Sequence, residues 1–184
     1  GHMEAVGYDL YCKMLNEAVK HLKGEMEEED YTTTIDLNID AYIPDTYISN
    51  EYQKLDIYKR IAAIESEEEM EDMVEELIDR FGDIPKKVEM LLTVAQLKAL
   101  AHKVYVTAVE QKGDTYTFAM YERAKVCPEK IPALLKEFRD DLAFKAEPPT
   151  FIYRKKRINK RDKTESALEV VKNVLIGIKG LLGN

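Results

Sequence analysis

Ten of the nineteen residues from Glu65 to Asp83 are acidic, and the run closes on two carboxylates one helical turn apart, Glu76 and Asp79. Spacing i, i+3 puts that pair on one face of a helix. Paired carboxylates can trade a proton only where different environments push their pKa values apart. This stretch is charged throughout and offers no apolar pocket to do so, which leaves a solvated face or a surface for a basic partner. The helix macrodipole disfavours negative charge at a C-terminal end by about 0.3–1 kcal/mol. Acid placed there costs stability, and that points to a partner. A second cluster, Arg154 to Lys163, holds seven basic residues in ten. Its Arg154, Lys155, Lys156, Arg157, Lys160 and Arg161 are candidate contacts for nucleic-acid phosphate or an acidic protein surface; equally, the run can balance the acidic half of the same molecule. No aromatic interleaving or nucleic-acid-binding motif accompanies it.

Other chemistry finds no support. GxxxxGK[ST] and GxGxxG are absent, so no loop cradles a nucleotide, and no GxSxG elbow occurs. His2, His21 and His102 stand outside ligand spacing, so no metal is expected. Cys12 and Cys127 lie far apart with no CxxC partner, which suits reduced thiols in the cytoplasm. No apolar run approaches the roughly 20 residues of a membrane span. The net charge of -8 divides unevenly: residues 1–100 carry 10 Lys/Arg against 24 Asp/Glu, and residues 101–184 carry 17 against 11. The acidic first half is a poor match for phosphate backbones and a good one for a basic protein surface.

The elements that must position these groups can be read from periodicity. Val6, Leu10, Met14, Ala18 and Leu22 predict an amphipathic helix over about 7–23, ending near Gly24. Thr33 to Ile43 alternates with period two, as a half-buried strand does, and Pro44-Asp45 ends it. A helix over about 51–64 comes next. Ser66 with Glu69 has the form of a capping box and opens the acidic helix, about 67–81, whose buried stripe is expected to be Met70, Met73 or Val74, Leu77, Ile78 and Phe81. Gly82 stops that helix and Pro85 opens the next, about 85–102, which is apolar over more than half its circumference and belongs in the core. Val104–Glu110 and Thr115–Tyr121 flank a hairpin turn at Lys112-Gly113-Asp114. A helix over about 128–142, a strand at Phe151–Lys155 and a final helix capped by Thr164 complete the order. The class is α+β, with helices packed on a small, mainly antiparallel sheet. Tyr31, Tyr42, Tyr47, Tyr52 and Tyr58 are expected to pack rather than to stack bases.

Four ordered blocks carry a family resemblance: Val6-Gly7-Tyr8-Asp9-Leu10-Tyr11, Ala41-Tyr42-Ile43-Pro44-Asp45-Thr46-Tyr47-Ile48, Leu55-Asp56-Ile57-Tyr58-Lys59-Arg60 and Glu76-Leu77-Ile78-Asp79-Arg80-Phe81-Gly82. Together they resemble the C-terminal domain of bacterial transcription-repair coupling factors. The resemblance implies a non-catalytic regulatory domain at the end of a cytoplasmic, ATP-dependent DNA translocase of nucleotide-excision repair, which acts on stalled RNA polymerase and double-stranded DNA and recruits UvrA. It implies that residues 1–24 lead in from an upstream motor, where ATP and magnesium are expected, and that 25–184 form the regulatory domain, itself without a cofactor. It further implies docking on a UvrB-like module of the same chain, which hides the UvrA-binding surface, with Glu76 and Asp79 facing basic residues of that module and Arg80 and Phe81 anchoring the helix end in the core. The runner-up is a nucleic-acid-binding accessory module using residues 154–163.

Overall fold

Side-chain caps open three of the helices. In the computed structural model, which describes residues 31–155 and 166–183, Asn50 opens α1 (Glu51–Ala62) by accepting from the Gln53 N–H at 3.0 Å. Ser66 opens α2 (Glu67–Phe81) by accepting from the Glu69 N–H at 3.1 Å. Glu69 reaches back one residue beyond the cap, accepting from the Glu65 N–H at 2.9 Å. Two orphan amides are thereby satisfied at one helix start. The Pro85 carbonyl accepts from Val88 and Glu89, both at 3.0 Å, as α3 (Lys86–Lys103) begins.

The period-two pattern before α1 is present as burial more than as pairing. Thr33, Ile35, Leu37, Ala41 and Ile43 are buried while Asp36, Asn38 and Asp40 are exposed. Only Thr34–Asp36 forms a strand, β1. After it, a side chain takes over from the ladder: the Asn38 N–H donates to Gln111 Oε1 at 2.9 Å.

α3 leads into the sheet through Tyr105, whose φ of +66° turns the chain out of the helix. β2 (Val106–Lys112) therefore starts later than its sequence suggests and pairs antiparallel with β3 (Thr115–Met120). Gly113, at φ +60°, is the first of the two turn residues, where a side chain is disfavoured. A 3-10 turn at Pro128–Lys130 passes into α4 (Ile131–Glu137), shorter than the expected helix over 128–142. Arg139 and Asp140, at φ +52° and +67°, reverse the chain there. The reversed chain then runs as a strand, β4 (Leu142–Lys145), in which buried Leu142 and half-buried Phe144 alternate with exposed Ala143 and Lys145. It pairs antiparallel with β5 (Thr150–Arg154), and the sheet order is β1-β2-β3-β5-β4. Ser166 caps α5 (Ala167–Lys179), with Oγ accepting from the Glu169 N–H at 3.2 Å. The expected cap Thr164 and the helix expected over 7–23 lie outside the described residues. Five helices and a mostly antiparallel five-stranded sheet among the described residues make this an α+β fold.

Two compact units divide the chain. In the first, which among the described residues takes 31–34 and 39–99, Ile57, Ile61, Leu77, Leu91, Val94 and Ala95 are completely buried. α3 contributes from several sides of its circumference, which is why it shows no single apolar face. In the second, residues 35–38 and from Leu100 on, register aligns Val109, Phe118 and Phe151 across three strands and Tyr116 opposite Tyr153. α5 meets α4 where Gly177 leaves no room for a side chain: a Cβ there would stand 2.6 Å from Leu134 Cδ1.

Gly82 closes α2 with φ +89° and ψ −164°, a region open in practice to glycine alone. Nothing lies within 4 Å of where its Cβ would be, so a Gly82→Ala change meets backbone strain and no clash. It should cost about 1–3 kcal/mol in a urea titration; a cost near zero would mean that the helix can end in another conformation.

Candidate protein-interaction site

α2 presents its acids on the surface. Glu68, Glu71, Asp72, Glu75 and Asp79 are exposed, and among the described residues none of them has an ion-pair partner. Like charges at helical spacing repel by a few tenths of a kcal/mol per pair, about the size of one favourable i, i+4 pair.

Three of the sequence blocks meet at the C-terminal end of this helix. From Ala41–Ile48, the Tyr47 hydroxyl lies 2.9 Å from the Gly82 carbonyl and 3.2 Å from the Leu77 carbonyl, donating where α2 runs out of its own amides. Its ring packs on Phe81 with centroids 5.8 Å apart. Burial first, and nearby Asp83 second, push the Tyr47 phenol above its ordinary pKa, which keeps it a donor. From Leu55–Arg60, the Arg60 guanidinium grips both oxygens of Glu76, with Nη2 at 2.6 Å from Oε1 and Nη1 against Oε2. Asp56 Oδ2 supports Arg60 at 3.8 Å. Within Glu76–Gly82, Arg80 Nη1 donates to Glu76 Oε2 at 2.9 Å, and its guanidinium stands 4.9 Å from the Phe81 ring centre. The first two blocks are tied as well, since the Ile43 N–H donates to Tyr58 Oη at 2.8 Å. Lys54, 6% exposed, is neutralised by Asp45 of the turn before α1 and by Glu51 at 3.7 Å.

The two carboxylates expected to act together are thus in different situations. Glu76 is committed within the chain: hydrogen bonds from Arg60 first and Arg80 second hold its carboxyl at about 2, well below the ordinary 4.5. Asp79 is exposed and has no ion pair among the described residues. Arg80 does brace the helix end, but from the surface, with 38% of its side chain exposed, and Phe81 is half-buried. Ile78, expected in the buried stripe, is 47% exposed; the stripe is Met70, Met73 and Leu77. Tyr52, expected to pack, is 87% exposed. Sequence reasoning misses Tyr47 and Arg60 as functional groups although both fall inside the quoted blocks; the Asp56–Arg60 spacing of i, i+4 is the available signal.

Arg154 is exposed at the end of β5, where its N–H donates to the Asp141 carbonyl at 2.8 Å, and Lys155 is half-buried. Lys156, Arg157, Lys160 and Arg161 lie outside the described residues, as does Cys12. Cys127 is a free, half-buried thiol. Among the described residues no group of three or more His, Cys, Asp or Glu could hold a metal ion, and no helix is long and apolar enough to cross a membrane.

Comparison with known proteins identifies the family. Residues 37–131, which contain all three converging blocks, match the model of the TRCF domain. The chain belongs to the TRCF domain family. It is 36% identical over 184 residues to a transcription-repair-coupling factor of Bacillus subtilis, covering 98% of this chain and 15% of that protein. A Staphylococcus haemolyticus protein of the same name is 41% identical over 126 residues, or 67% of this chain and 11% of the relative. Among solved structures, the crystal structure of a C-terminal domain of transcription-repair coupling factor superposes with a TM-score of 0.65 at 29% identity, covering 82% of this chain and 92% of that one. The chain therefore spans a small part of the curated relatives and nearly all of that domain.

The Glu76 carboxyl gives a pH signature. Its pKa is lowered on folding, so its contribution is fully present above about pH 4.5 and is lost as pH falls from there towards 2. With the side chain a third exposed, water screens the ion pairs and limits the effect to about 1 kcal/mol. Glu76→Gln should flatten the acid limb of the stability curve by that amount between pH 4.5 and 2 and alter little above pH 6 beyond a constant offset. An unchanged acid limb would mean that Arg60 and Arg80 do not hold Glu76 in solution.

Proposed function

We propose that this segment is a non-catalytic regulatory domain of a transcription-repair coupling factor. It docks through the C-terminal half of α2 onto a UvrB-like module of the same polypeptide. In that state it covers the surface that binds UvrA and restrains an ATP-dependent DNA translocase until RNA polymerase is engaged. ATP and magnesium belong to the motor, and the work is done in the cytoplasm on double-stranded DNA.

The observation that carries this reading is the exposed acid of α2, Asp79 above all, which lacks a counter-charge among the described residues and sits on a helix end fixed from three directions. A fixed charge steers and orients a basic partner without an ordering cost at the moment of contact. Rim charge pairs contribute only about 0–1 kcal/mol each, so a docked state held partly by them can be released by a competing partner. Family membership supports the same assignment, since the block that bears Asp79 lies within the matched residues.

Asp79→Arg tests this. The reversed charge should weaken binding to the separately expressed UvrB-like module by about tenfold in low salt, with thermal stability unchanged or slightly raised because the macrodipole favours a cation there. An unchanged affinity by calorimetry would remove Asp79 from the contact and the proposal with it.

A further inference from the structure

We draw no further inference here: the strongest candidate, the face of the second unit's sheet opposite Phe118 and Phe151, where Lys112, Thr115 and Arg154 fall in one row across β2, β3 and β5 beside Thr117 and Ile152, carries nothing, because nothing in the structure shows what covers it.

Discussion

A helix that ends at a surface leaves its last carbonyls without intrahelical donors, and how α2 solves that problem organises the first unit. Gly82 turns the chain in a conformation that other residues avoid, and the Tyr47 hydroxyl supplies the donor that the backbone cannot. That hydroxyl is held in place by the turn before α1, where Pro44 accepts from Tyr47 and Ile48 and Asp45 is paired to buried Lys54. The same helix end carries Glu76, and Arg60 of α1 holds it. Sequence segments separated by sixteen to thirty-five residues are therefore joined by a few polar bonds around a core of isoleucine, leucine and valine.

This arrangement resolves a cost that the sequence alone makes puzzling. Acid at a helix C-terminus opposes the macrodipole. For Glu76 the opposition is offset by two arginines, one of them in the last turn, so the residue contributes to the fold. For Asp79 no offset exists among the described residues, and its charge faces outward. Two carboxylates three positions apart are thus in different situations, one paired within the fold and one exposed without an ion pair among the described residues, although their spacing makes them look equivalent.

Much of the fold is legible in the sequence because local signals are strong where side chains cap helices. Ser66 and Glu69 place the start of α2, and Gly82 and Pro85 place its end and the next start. Hairpin chemistry at Gly113-Asp114 places β2 and β3, with Tyr105 shifting the first boundary because a left-handed aromatic residue has no sequence signature. The strand at Leu142–Lys145 is hidden behind the tail of an expected helix, since α4 stops through Arg139 and Asp140 with no glycine or proline to mark the break. Ile78 reads as buried because an i, i+4 pattern is compatible with a wide apolar face; burial on one side of α2 reaches only Met70, Met73 and Leu77. In the site, type and position of both carboxylates can be read, but not which of them an arginine from another helix claims. That depends on the approach of α1 to α2, a tertiary fact. Three of the quoted blocks contain residues that tie one segment to another, among them Tyr47, Arg60 and Glu76.

The central claim, that Glu76 is held inside the domain while its neighbour Asp79 is free to meet a partner, is tested most directly by following the Glu76 side-chain carboxyl through an NMR pH titration of the isolated chain. A midpoint at about 2 is expected. A midpoint at the ordinary 4.5 would contradict it, since a carboxylate gripped by two arginines cannot titrate as though it stood alone in water.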